Sequence, residues 1–98
     1  MSTVTKILIV KACKGNTFLG ATELLSSAQK LCAKHLAEVL VEELKFERNY
    51  IKNIDIDEED ILKILKNNTE DEEDSFVISG YIEKIYYNYT LLKTDLVS

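Results

Sequence analysis

The strongest chemical suggestion in this chain comes from the stretch Gly15-Asn16-Thr17-Phe18-Leu19-Gly20-Ala21-Thr22. It matches the phosphate-cradling spacing G-x-x-x-x-G-K-[ST] at both glycines and at the final threonine. In that motif backbone N–H groups and a helix N-terminus hold the anion, and the lysine meets the β- and γ-phosphates. Here Ala21 stands where the lysine belongs, and Lys14, just before the first glycine, is the nearest replacement charge. No later apolar strand ends in a metal-binding Asp, which weighs against nucleotide hydrolysis. A glycine-containing turn into a helix accounts for the same residues. The chemical expectation is an anion or phosphate ligand held by Lys14, Gly15, Asn16, Thr17, Gly20 and Thr22.

Cys32 and His35 have the C-x-x-H spacing of a metal half-site, and Cys13 could approach them from an earlier strand. On a helix, residues i and i+3 share a face, so zinc ligation is geometrically permitted if a fourth ligand joins. Both residues, however, fall in an apolar helical arc. There a cysteine behaves as a small hydrophobe and a histidine finds a hydrogen-bond partner. The expectation is core packing, with no metal and no cofactor. Burial also argues against Cys32 as a nucleophile, and Cys13, beside Lys14, is the more reactive thiol of the two.

Acidic residues are concentrated in the second half. Residues 1–50 carry seven basic and five acidic side chains, whereas residues 51–98 carry five basic and twelve acidic, giving a net charge of −5. Asp55 to Asp60 and Glu70 to Asp74 hold ten of those carboxylates. Asp55-x-Asp57-x-Glu59 lacks the glycine at the sixth position of a calcium loop and has Lys66 at the twelfth, so it is not an EF-hand. Such a run is either a solvated face or a surface for a basic partner, including the displacement of nucleic acid from a basic site. Binding nucleic acid through phosphates needs clustered Lys and Arg, which this chain lacks. The partner-contact expectation falls on Asp57, Glu58, Glu59, Asp60, Glu70, Asp71, Glu72, Glu73 and Asp74. To these the tyrosine-rich C-terminal stretch adds Tyr87 and Tyr89, because tyrosine is enriched at interfaces. On a strand those two share one face and Tyr86 takes the other, so one aromatic side is exposed, as in a homodimer.

The elements that position these residues follow from periodicity. Ala21 to Lys45 reads as one long helix, with Leu24, Leu25, Ala28, Leu31, Cys32, His35, Leu36 and Val39 in one arc at about 100° per residue. Past Val39 the stripe drifts, so the helix is either covered on a second side there or ends near Val41. Thr22 or Thr17 is the candidate cap. Lys6 to Ala12 is a buried central strand, and Cys13 to Gly20 is a turn into the helix. Tyr50 to Ile56 alternates as a strand. Asp57 caps a short helix whose first turn holds Glu58, Glu59 and Asp60, and Ile61, Leu62, Ile64 and Leu65 form its buried side. Asn67 to Thr69 ends that helix, and Glu70 to Asp74 is a solvated loop. Phe76 to Leu92 favours β-structure by residue type, broken at Gly80 or by a hairpin near Glu83 and Lys84. The competing reading makes Tyr81 to Lys93 a helix.

These elements describe one domain over residues 1–98, of α+β class: a two-layer α/β sandwich. One long and one short helix cover a small sheet of three or four strands in the order β-α-β-α-β(-β). A right-handed crossover joins the first two strands if they are parallel. The order is similar to that of nucleic-acid-binding domains of the Alba type, whose function would call for basic loops that the acidic second half does not supply.

Two cysteines, no secretory segment and no apolar run near 18 residues point to an intracellular, cytoplasmic protein with no membrane partner. The absence of proline and tryptophan, with abundant Ile, Lys, Asn and Tyr, suggests an AT-rich genome and a viral or phage source acting in a host cell. The leading expectation is a non-enzymatic protein-protein interaction module, an inhibitor or adaptor whose partner has a basic surface. The alternatives are a phosphate- or nucleotide-binding domain using Gly15 to Thr22, and a nucleic-acid-associated module using Lys6, Lys11, Lys14, Lys30 and Lys34.

Overall fold

A computed structural model describes residues 4–12, 17–44, 58–82 and 85–97. The chain forms β1 (Val4–Ala12), β2 (Thr17–Thr22), α1 (Leu25–Leu44), α2 (Glu58–Asn67), β3 (Thr69–Asp71), β4 (Ser75–Ile82) and β5 (Ile85–Val97). The five strands make one sheet in the order β2-β1-β5-β4-β3, and each neighbouring pair is antiparallel. The α+β class holds. The element order does not, being ββααβββ among the described residues, with five strands where three or four were expected. The similarity to Alba-type order goes with it. The strand expected over Tyr50 to Ile56, and with it the crossover from the first strand, lies outside the described residues.

The extra strands have local causes. β2 occupies part of what reads as a turn, because the glycine that suggested a turn, Gly20, instead serves a β-bulge. Val10 pairs with Gly20 and Lys11 with Phe18, so Leu19 is the additional residue between them. Gly20 has φ 155°, a conformation side-chain-bearing residues rarely adopt, and a Cβ there would lie 3.1 Å from Leu31 Cδ1 on α1. A glycine inside a strand thus marks a bulge and a close helix approach. β3 takes Glu70 and Asp71 out of the expected acidic loop, as Thr69 to Asp71 pair with Phe76 to Ile78 of β4.

The hairpin reading of the C-terminal stretch is the correct one. β4 and β5 pair from Ser75↔Leu92 to Ile82↔Ile85, so the chain reverses between Ile82 and Ile85. β-branched and aromatic residues in alternation favour the half-buried pleated surface over a second long helix.

Alternation divides the sheet into two faces, since directly paired residues point the same way. One face carries Leu8, Val10 and Ala12 of β1, Ile78 and Ile82 of β4, and Tyr87, Tyr89 and Leu91 of β5, all buried. Both helices pack there. α1 contributes Ala28, Cys32, Ala33, Leu36 and Leu40, and α2 contributes Ile61 and Leu65. Spacing by four along Ala28, Cys32, Leu36 and Leu40 is the inward ridge of α1. Leu40 is buried although the stripe drifts there, because the helix runs on to Leu44; α2 packs against α1. Leu24, placed in the apolar arc by periodicity, precedes the helix and is exposed. Thr22 does not cap α1 with an accepting oxygen; its hydroxyl donates to the Leu24 carbonyl at 3.0 Å. Each fully buried aliphatic side chain contributes roughly 1.5–3 kcal/mol, so this face holds the molecule together.

Candidate functional site

The residues singled out for chemistry fall into three places. Of the anion candidates, Thr17, Gly20 and Thr22 lie on the edge strand β2, while Lys14, Gly15 and Asn16 lie outside the described residues. Successive N–H groups of a strand point in alternate directions, so they do not converge on one anion as they do in a loop at a helix N-terminus. Gly20 and Thr22 instead line a shallow groove of about 510 Å³ with Ser27, Lys30, Lys34 and Glu58. The lysines arrive there from α1, an association that spacing alone could not reveal.

Cys32 and His35 are interior structure. Cys32 is fully buried, and loss of hydration pushes its thiol up from 9.0 to about 12, which keeps it a protonated, poorly nucleophilic hydrophobe. His35 Nδ1 and Tyr89 Oη share a hydrogen bond of 2.9 Å, and the two rings meet edge to face with centroids 5.7 Å apart. Burial, reinforced by the neighbouring Cys32 and Tyr87, raises the Tyr89 phenol above its ordinary range. Cys13 lies outside the described residues. Among the described residues no group of three or more His, Cys, Asp and Glu side chains could hold a metal ion.

Tyr87 and Tyr89 are not available to a partner. They are 3% and 2% exposed, on the face that the helices cover. Tyr87 Oη accepts a hydrogen bond from Asn68 Nδ2 at 2.7 Å, and its ring lies across Gly80, where an added Cβ would meet Oη at 2.8 Å. The alternation expected for the tyrosines is right, but the face expected to be free is the buried one. Gln29, the buried polar residue of α1, donates from Nε2 to Thr69 Oγ1 at 3.0 Å. No buried side-chain nitrogen or oxygen among the described residues lacks a partner, so the described interior aims no orphaned polar group at a ligand.

No family model, curated protein or solved structure matches this chain.

What faces outward is more distinctive. The sheet face opposite the helices presents Ile7, Ile9, Val77 and Leu92, with Tyr81 and Tyr86 at one end and Phe18 on β2. Phe18 is 61% exposed, Tyr81 70%, Tyr86 52% and Leu92 39%. Tyr81 and Tyr86 are directly paired across β4 and β5, with ring centroids 5.2 Å apart. The face is mixed: Ser75, Ser79, Asn88, Thr90 and Thr94 share it, so Ile7, Ile9 and Leu92 form one apolar group and the Tyr81–Tyr86 pair another. Alternation of apolar residues in β1 and β5 on both parities was the available signal, and it reads equally well as a strand buried on both sides.

The acidic residues form a separate region. Glu58 and Glu59 are exposed at the start of α2, beside the positive end of its dipole, and Glu70 to Asp74 are exposed through β3 and the turn into β4. That turn is tied down. Glu72 N–H donates to the Ser75 carbonyl at 2.8 Å, and Lys93 N–H donates to the Asp74 carbonyl at 2.8 Å. The Lys93 ammonium reaches Asp71 and the Glu72 carbonyl while lying 4.5 Å from the Phe76 ring centroid. Asp57 lies outside the described residues. No described helix is long and apolar enough to cross a membrane.

Proposed function

We propose that this chain is an intracellular protein-binding module, without catalytic chemistry of its own, that engages its partner through the uncovered face of the sheet. The observation that carries the reading is that large apolar side chains, Phe18, Tyr81, Tyr86 and Leu92, are exposed together on the side of the sheet that the helices leave open. Aromatic side chains bring large contact area at low entropic cost and dominate binding hot spots. The acidic region at α2 and the β3–β4 turn biases which surfaces approach and favours basic ones, by long-range attraction that salt screens.

The sheet face and the acidic region can be tested apart. Capture from a host extract with the intact chain is compared with Tyr81→Ser/Tyr86→Ser and with Glu72→Gln/Glu73→Gln. The aromatic pair is expected to abolish capture at any salt, and the acidic pair to weaken it only at low ionic strength. Retention of the same bound protein by the tyrosine variant, still folded by circular dichroism, counts against the sheet face as the contact surface.

A further inference from the structure

We infer that the sheet face is built to receive a second copy of the same chain, in a face-to-face dimer whose two-fold axis runs along β5; this rests on the sheet-face reading above. Three features of the face point to this occupant.

The first is charge. The chain carries a net charge of −5, so two copies repel unless they meet where the acidic residues are absent. By alternation, the charged side chains on the described part of this face are Lys11 and Glu70, one of each sign. The described part of the face is thus neutral, so a second copy meets no net repulsion there.

The second is register. Phe18, Lys11, Thr90, Val77 and Glu70 form one continuous row across all five strands, since Lys11 pairs with Phe18 and with Thr90, and Val77 pairs with Thr90 and with Glu70. β5 is the middle strand, with two on either side. Rotation by half a turn about an axis along β5 keeps each row at its own height and exchanges the two sides of the sheet. Thr90 then faces Thr90, Leu92 faces Leu92, and Glu70 of each copy lies over Phe18 of the other, one strand spacing from Lys11. That offset is about 4.8 Å, and stacked sheets sit about 10 Å apart, within reach of a lysine and a glutamate extended toward each other. The alternative in-plane axis, perpendicular to the strands through this row, sets Lys11 over Lys11 and Glu70 over Glu70.

The third is area. Strands of six, nine, thirteen, eight and three residues, at about 3.4 Å per residue and about 4.8 Å apart, give a face on the order of 600 Å². A standard stable interface uses about 800 Å² per partner. Sheets stacked in this way keep their strands within about 30° of one another.

The decisive experiment is a charge exchange followed by sedimentation equilibrium. The unaltered chain is expected to reach twice its 11.2 kDa mass as concentration rises. Lys11→Glu alone and Glu70→Lys alone each set like charges together across the interface and weaken the dimer about tenfold. An equimolar mixture of the two variants restores association as a heterodimer. Within one copy the two positions are three strands apart, about 14 Å, too far for a folding effect to produce this rescue. Leu92→Lys, at an exposed position on the axis, leaves the fold intact and yields a monomer. A monomeric mass at millimolar concentration, a dimer that survives Leu92→Lys, or no rescue on mixing overturns the inference. A monomer whose capture of a foreign protein is lost in Tyr81→Ser/Tyr86→Ser overturns the dimer while leaving the binding-module reading in place.

Discussion

Cys32 and Tyr89 make the described interior of this molecule sensitive to pH. Both are weak acids held neutral by burial among Leu36, Leu91 and their neighbours. In the unfolded chain Cys32 releases its proton near its ordinary 9.0, whereas in the folded chain it holds it to about 12. Tyr89 is displaced in the same direction from 10.0. Between those limits the unfolded state binds fewer protons than the folded one, so stability is full below about pH 9 and falls as pH rises. The slope is about 1.4 kcal/mol per pH unit for each group in its window. Urea unfolding from about pH 8 to 11 is expected to show a flat midpoint that then declines. In Cys32→Ala/Tyr89→Phe the decline should largely disappear; if it is as steep as in the parent, these two groups are not its source. The role of Cys32 as packing was readable from its place in a helical arc. The partner of His35 was not, because Tyr89 lies 54 residues away and only the fold joins them.

At the scale of elements, most of the chain was legible where one periodicity dominated. α1, α2 and β1 each follow from a single repeating pattern and its end signals, whereas the β4–β5 hairpin rests on residue type, because helical spacing competes over Tyr81 to Lys93. β2 was misread because its glycine has two meanings, turn or bulge, and the choice depends on whether a helix approaches that point. Once α1 lies against β2, Gly20 is required for the bulge at Leu19 and for the approach of Leu31. Gly20→Ala is accordingly expected to destabilise by about 1–3 kcal/mol, through the strained φ and the 3.1 Å approach to Leu31 Cδ1. The damage should stay local, with hydrogen exchange accelerating in β2 and at Leu31 before the rest of the sheet. Thermal or urea unfolding of Gly20→Ala indistinguishable from the parent would show that the bulge is not held by this residue. The tyrosines illustrate the same limit from the other side. Alternation separates Tyr86 from Tyr87 and Tyr89, but a strand of amphipathic residues does not say which side meets the helices. Gly80 gives the answer in retrospect, since it makes room across the sheet for the Tyr87 ring.

For the whole molecule, the decisive feature is that β1 and β5 are sequence-distant yet adjacent. Val4 pairs with Val97 and Ala12 with Tyr89, so the centre of the sheet closes only when the two are brought together. No pattern within either strand reports this, which is why the strand order and the uncovered face were invisible in the sequence. The two described edges, β2 and β3, are six and three residues long, and each is paired on one side only. A cooperative unit formed by β1, β5 and the helical layer should therefore open only in global unfolding, while the edges open locally at lower cost. Native-state hydrogen exchange in low urea is the measurement. Amides of Val10 and Leu91 are expected to exchange with the full unfolding free energy and its full denaturant slope. Amides of Phe18 and Glu70 should exchange at least tenfold faster, with little denaturant dependence. If Glu70 or Phe18 shared the slope of Leu91 in the monomeric Leu92→Lys variant, the edges would belong to the same unit as the centre. If they gained protection only in the unaltered chain at high concentration, a second copy would be covering the face that runs from Phe18 to Glu70.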